Sequence, residues 1–274
     1  MGKLSRNSRL VAIMKIFLDK PNRIIGLGSF SSMFNTAKST VSEDILIVRE
    51  VLQKLEIGKI ETISGATGGL RYIPSIGTEN SKKFADELCE IINDGKRIIA
   101  GNFIYMTDIM YNPEIIEKAA VILSSCFNDK KIDNVITVET KGVPLAYAVA
   151  KNLGVQLVIA RRRTQVTEGS TVTISYVSGT DGRLSQMSLS KNSMKSGSKS
   201  IFIDDFMKGG GTAKGIKDLL HEFDSELVGI GVLVDNKVAE EKLVEDYVSI
   251  VEIRSVDKQS YIDIHPSEMF DKFQ

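Results

Sequence analysis

The sequence predicts an α/β chain in two parts: a small helical unit ending in a hairpin, residues 1–75, and a larger unit, residues 76–274, built on a mostly parallel sheet. Three observations carry this. Apolar stripes at helical spacing fill the first part and then give way to two β-type runs around a glycine turn. From Asn80 onward helical and strand patterns alternate, the order that builds a parallel sheet. One strand pattern ends in two adjacent carboxylates and three glycines, just before a helix begins. The 274 residues suffice for one large domain or two modest ones.

The first helix carries Leu10, Ile13, Met14 and Phe17 on one face and stops at Pro21-Asn22. A short helix follows from about Ser29 to Phe34, then a tight connection through Asn35 to Lys38. The third helix is predicted to open on a capping box, Thr40-Val-Ser-Glu43, in which each end satisfies an orphan N–H of the other. Val41, Ile45, Val48, Leu52 and Leu55 then recur in steps of four and three as its buried stripe. Residues 58–74 form two strands around a glycine turn. Helix, helix–turn–helix, hairpin is the winged-helix plan, whose third helix enters the major groove of DNA.

The charge pattern agrees. The whole chain has 35 basic and 35 acidic residues, but residues 1–75 hold eleven Lys and Arg against six Asp and Glu. A basic small domain joined to an acidic larger one points to double-stranded nucleic acid at one end. Lys38, Ser39, Thr40 and Ser42 are the candidate base contacts. Lys59, Arg71 and Tyr72 on the hairpin, with Arg6 and Arg9 at the start, are the candidate phosphate or minor-groove contacts. The plain alternative is a helical oligomerisation cap with a solvated basic surface.

In the larger unit a helix carries Phe84, Leu88, Ile91 and Ile92, and residues 97–105 are extended. Asn112-Pro113-Glu114 starts a helix that runs to about Phe127. Strands follow at 134–138 and 156–160 with a helix at 144–153 between them. A long polar stretch to Ser200 holds two weakly β-like segments, 170–177 and 183–189. Further strands are predicted at 226–234 and 247–254, with a helix at 237–244 between them. Cys89 and Cys126 lie in apolar helical patterns and read as buried reduced thiols; neither they nor His221 and His265 have metal-ligand or triad spacing. No apolar run reaches membrane-spanning length and no secretory signal is present, so a cytoplasmic protein is expected.

The chemistry concentrates in Ser200-Ile-Phe-Ile-Asp-Asp-Phe-Met-Lys-Gly-Gly-Gly-Thr212. Two acceptors at a strand end suit neighbouring ribose hydroxyls. Amides uncrowded by side chains, at the N-terminus of a helix bearing Ile216, Leu219, Leu220 and Phe223, suit a phosphate. An ordinary strand–turn–helix accounts for the glycines but not for two like charges at the end of a buried strand. No Gly-Lys-Ser/Thr follows the first glycine and the G-x-G-x-x-G spacing is absent, so this is neither a Walker A loop nor a dinucleotide fingerprint.

This run resembles the signature of the type I phosphoribosyltransferases, which bind 5-phosphoribosyl-1-diphosphate (PRPP). The resemblance covers most of residues 80–255. It implies that Asp204 and Asp205 take the ribose, and that Phe206, Met207, Lys208, Gly209, Gly210, Gly211 and Thr212 take the 5-phosphate. It implies a diphosphate loop at Thr140, Lys141 and Gly142, with Lys141 a point charge where arginine is more usual. One of the arginines after Ala160, by preference Arg161, is expected on phosphate. Gly209 stands where a hydroxyl residue is common. Residues 170–189 match either a closing lid that includes Ser175 and Tyr176 or a loop without a ligand role.

With the winged helix in front, the whole chain resembles the purine operon repressor family, PurR, of Gram-positive bacteria. That implies a homodimeric DNA-binding regulator with a phosphoribosyltransferase-like fold used as a sensor rather than an enzyme. PRPP, accompanied by Mg2+, is the implied inducer, with guanosine tetraphosphate a competitor for the same pocket. Phe206 would then stack on one side of a guanine and Phe103 or Tyr105 on the other. Two rivals remain: an active purine phosphoribosyltransferase with an appended DNA-binding domain, and a nonspecific nucleic-acid binder with a vestigial pocket.

Overall fold

The computed structural model describes residues 4–93, 97–99, 103–163, 166–178, 183–238, 241–256 and 262–272. They fall into two compact units, Met1–Gly77 with Lys151–Gly154, and Thr78–Ala150 with Val155–Gln274.

In the first unit α1 (Arg6–Asp19) is capped by Ser5, whose side chain accepts the Ser8 N–H. α2 (Leu27–Phe34) closes on Asn35 in the left-handed region, φ 48°. α3 (Lys38–Lys54) follows, then β1 (Gly58–Ile63) and β2 (Gly69–Pro74), paired antiparallel from Gly58 opposite Pro74 to Ile63 opposite Gly69. Ile13, Phe17, Phe30, Phe34, Val41, Ile45, Val48 and Leu52 close over Ile60, Leu70 and Tyr72. Phe17 and Phe30 are fully buried with ring centroids 5.5 Å apart, each contributing about 1.5–3 kcal/mol by burial alone. This is the winged-helix plan.

The expected capping box does not form. α3 begins at Lys38, its N-cap is Ala37, and no side chain caps it. The turn is tighter than the sequence suggests: Thr36 N donates to Ser31 O and Ser31 Oγ to Thr36 O, so the chain has reversed by Ala37. Thr40 is therefore inside the helix, and Ser42 Oγ donates to Lys38 O. The stripe is buried as predicted except for Leu55, which caps the C-terminus and is exposed.

The second unit opens with α4 (Thr78–Ile92), the short hairpin β3 (Ile98–Ile99) and β4 (Phe103–Ile104), α5 (Thr107–Met110) and α6 (Pro113–Ser125). Asn112 caps α6, accepting from Glu114 N and Ile115 N, with Pro113 at the first position as the sequence predicts. Then come β5 (Asn134–Val138), α7 (Val143–Leu153), β6 (Gln156–Ala160), the hairpin β7 (Thr171–Ser178) and β8 (Arg183–Ser190), β9 (Lys199–Met207), α8 (Gly211–His221), β10 (Glu226–Asn236), β11 (Tyr247–Val256) and β12 (Ile262–Pro266). The main sheet has the order β12-β11-β10-β9-β5-β6, parallel except for β12. The chain moves outward from β5 to β6 on one side and from β9 to β11 on the other. The order therefore reverses between β5 and β9, and a crevice opens at their carboxyl ends, where such sheets bind ligands.

The β7–β8 hairpin packs on α8, with Tyr176, Met187 and Leu189 in the core beside Ile216 and Leu220. Its inner face is thus structural, while Ser175 is exposed. The helix expected at 237–244 is a correction: among its described residues there is only a turn, and tertiary hydrogen bonds described below hold the segment open. Cys89 and Cys126 are free thiols, pushed up by burial to about 12 and about 11. Among the described residues no helix is long and apolar enough to cross a membrane.

Candidate functional site

β9 is buried through Ile203, and its last residues carry the acids out into the crevice. Asp204 is partly buried and its Oδ1 accepts the Asp205 N–H at 2.9 Å. Burial first, and then the neighbouring Asp205 carboxylate, push Asp204 well above the usual carboxylate range; the Asp205 N–H and the Arg162 charge oppose this. The pair is held by geometry at an electrostatic cost, which fits groups meant to meet a ligand.

Across the crevice β5 runs into Thr140, Lys141 and Gly142 before α7. Thr140 and Lys141 are exposed and Gly142 is buried. A Cβ on Gly142 would stand 2.5 Å from Asp204 Oδ1 and 2.7 Å from Thr137 Oγ1, so only glycine lets this loop lie directly against the first acid. Thr137 Oγ1, buried beneath, has no hydrogen-bond partner among the described residues.

After β9 the chain turns through Lys208, Gly209 and Gly210. Gly210 has φ 80° and is the N-cap of α8, so the turn requires a residue without Cβ. Gly211 and Thr212 form the first turn, whose N–H groups are the positive end of the helix. Phe206 is half-buried at the rim. Met207 is a correction: its side chain is in the core, 3% exposed, so only its backbone is left for a ligand. Behind the loop Lys242 Nζ bonds Lys208 O at 2.5 Å and Asp235 Oδ1 at 2.7 Å, and Tyr247 Oη donates to Asp235 Oδ2 at 2.8 Å. Sequence reasoning missed this network, because Lys242 read as one more residue of a surface helix.

Arg161 is also corrected. Its guanidinium is taken by Glu139 Oε2 at 3.2 Å and by Glu168, and its backbone bridges Ser188, so it ties the crevice wall together instead of projecting into it. Arg162 is the exposed arginine whose charge reaches Asp204. Tyr105 is 45% exposed beyond β4, with its N–H on Arg97 O. The side chain of Phe103 lies outside the described residues. Among the described residues no cluster of three His, Cys, Asp or Glu is placed to hold a metal ion.

In the winged helix, Lys38 and Ser39 are exposed in the first turn of α3, with Thr40 and Ser42 half-buried beside them. Arg6 is exposed, with its Nε 3.5 Å from Asp44; Lys59 and half-buried Arg71 both pair with Glu61, at 2.8 and 2.7 Å. Two candidates are corrected. Arg9 is buried, with Nε on Asp44 Oδ2 at 2.6 Å, and joins α1 to α3. Tyr72 is 4% exposed, its hydroxyl donates to Ile57 O, and burial pushes it up to about 12.

Comparison with known proteins follows the same division. Residues 5–74 match the model of the bacterial purine repressor N-terminal domain, and residues 106–263 match the phosphoribosyl transferase domain. The chain is 42% identical over 98% of its length to the probable purine biosynthesis transcriptional regulator PurR of Streptococcus pneumoniae serotype 4, covering 99% of that protein. It is 42% identical over 96% of its length to the purine biosynthesis transcriptional repressor PurR of Bacillus subtilis, covering 92% of it. It is 37% identical over 97% of its length to the activator PurR of Lactococcus lactis subsp. lactis, covering 99% of it. Adenine phosphoribosyltransferase of Thermoanaerobacter pseudethanolicus superposes with a TM-score of 0.52, over 61% of this chain and 98% of that one, at 16% identity, a likeness of fold.

The fold and the site thus define a DNA-binding transcription regulator whose second domain has the type I phosphoribosyltransferase fold. The chain belongs to the bacterial purine repressor family, whose similar members are purine biosynthesis transcriptional regulators.

Proposed function

We propose that this protein represses purine-biosynthesis genes by holding operator DNA as a homodimer, and that PRPP in the β5–β9 crevice weakens that hold. The observation that supports the reading is the packing of Gly142 against Asp204, which sets the 140–142 loop against the acid pair that leads into the glycine turn, at one sheet reversal. Asp204 and Asp205 accept from the ribose hydroxyls, and the amides after Met207 with those of α8's first turn meet the 5-phosphate. Thr140 and Lys141 meet the diphosphate, with Mg2+ carried by the ligand. Guanosine tetraphosphate is the competing anion, its guanine against Phe206 with Tyr105 on the other face.

The non-enzymatic reading is supported by the names of the similar full-length proteins and by Lys141 at the diphosphate position, which offers a point charge where a fork would grip a leaving group. The sign of the response is less constrained by fold, since one relative is named an activator.

The decisive measurement is operator binding titrated with PRPP. Fluorescence anisotropy on a purine-operon control region should show affinity falling as PRPP rises, with random duplex bound far more weakly at the same salt. Unaltered operator affinity at saturating PRPP sinks the proposal. Steady-state assays with adenine, guanine, hypoxanthine and xanthine should show no robust turnover; turnover of any of them replaces the sensor with an enzyme. Asp204→Ala with Asp205→Ala should abolish PRPP binding by calorimetry while DNA binding persists.

A further inference from the structure

The segment after β10 is drawn against the back of the glycine loop. The Lys242 side chain is 14% exposed, and its ammonium lies on four oxygens: Lys208 O at 2.5 Å, Asn236 O at 2.7 Å, Asp235 Oδ1 at 2.7 Å and Met207 O at 3.4 Å. The N–H of the next residue, Leu243, donates to Gly209 O at 2.9 Å. Two consecutive loop carbonyls, those of Lys208 and Gly209, are therefore turned toward residues 242–243. In a planar trans peptide the N–H points opposite to the C=O. The N–H groups of Gly209 and Gly210 accordingly face away from Lys242. Asp235, fully buried, fixes Lys242 from below and is itself held by the Tyr247 hydroxyl.

We propose that Lys242 is a positioning residue for a phosphate monoester: by holding the loop carbonyls behind the turn it aims the Gly209 and Gly210 amides at the anion in front. Lys242 does not touch the ligand. A cup of glycines has no side chains to order it, so its amides converge only if something grips the carbonyls. This inference rests on the PRPP reading above, and the test separates the two.

Calorimetry with ribose 5-phosphate and with PRPP is run on the full chain as wild type, Lys242→Met, and the double variant Asp235→Asn with Lys242→Met. The single change leaves buried Asp235 only Lys237, 3.4 Å away, and the double variant removes that buried charge, so it keeps the test valid where Lys242→Met alone unfolds the loop. Melting transitions check the fold. Both variants should bind both ligands at least about tenfold more weakly, the scale of one charge-assisted contact. Amide exchange at residues 208–210 should slow on PRPP addition in the wild type and not in the double variant. Wild-type protein that binds neither ligand overturns the PRPP reading itself. Wild-type affinity in both variants, or its recovery in the double variant, overturns the role of Lys242 and leaves the PRPP reading standing, since the lysine would then only neutralise Asp235.

Discussion

Asp204 is ionisable, partly buried and next to a second acid, so the folded protein favours its proton more than the unfolded chain does. The sign follows directly. A carboxyl raised on folding contributes its stability below the unfolded value, near 4, and that contribution is lost as pH rises toward the folded value. Asp204 thus leaves the fold less stable at neutral pH than in acid. Asp204→Asn keeps an oxygen for the Asp205 N–H and removes the charge, so it should raise the melting temperature at pH 7, with the difference from wild type shrinking as pH falls toward about 4. A gain that is equal at pH 3 and pH 7 would mean that something other than ionisation is responsible. Arg9 is the opposite case, a charge whose removal costs. Asp44 is 1% exposed, and Arg9→Ala leaves it buried without its closest partner. Breaking such a pair costs about 3–5 kcal/mol, against near neutrality when both members become apolar. Urea melts of Arg9→Ala and of Arg9→Met with Asp44→Leu should show this split; equal losses would place the cost in packing.

Elements differ in how much of themselves they write into the sequence. The α3 stripe, the Asn112-Pro113 start of α6 and the strand–glycine–helix run from β9 to α8 are legible because each rests on local periodicity or local capping chemistry. The start of α3 is not: Asn35 takes a left-handed conformation and reverses the chain early, and nothing local tells this from a loop ending at Thr40. Residues 237–244 mislead for a different reason. Their spacing suits a helix, yet Lys242 and Leu243 gain more by bonding the loop after β9 than by continuing one. The short β12 escapes notice because five residues carry little pattern and its place is set by β11. Of the site, the acids and glycines can be read in advance; which arginine faces them cannot, since only Glu139 and Glu168 show that Arg161 is taken. The early start of α3 sharpens one expectation. Lys38 opens α3 and is exposed, and we propose that its long side chain meets a DNA phosphate in place of the base edge expected from the sequence. Lys38→Ala should weaken operator and random duplex by similar factors and reduce the slope of log affinity against log salt by about 1. Loss confined to operator would make Lys38 a base-reading residue instead.

At the scale of the whole molecule, charge is divided between the two units. The basic surplus of residues 1–75 is cancelled by the remainder of the chain, so the small unit carries the positive charge that suits DNA while the larger unit is left acidic. A sensor of this design works through linkage alone. On the proposed function, PRPP would lower operator affinity only by the factor by which it prefers the DNA-free form, and operator would lower PRPP affinity by that same factor. Couplings of this kind amount to about 5–150-fold, or ~1–3 kcal/mol. Four titrations close the cycle: operator with and without saturating PRPP, and PRPP with and without saturating operator, all at one salt concentration because the DNA term falls steeply with ionic strength. The two factors should agree within error, and both should collapse to one in Asp204→Ala with Asp205→Ala. If operator affinity drops on adding PRPP while PRPP affinity ignores operator, the metabolite is acting outside this equilibrium, for instance as a bulk polyanion competing for the basic surface. Raising salt tells the cases apart: simple competition for Lys and Arg weakens as salt rises, whereas a coupling carried by two protein conformations retains its ratio after both affinities have fallen.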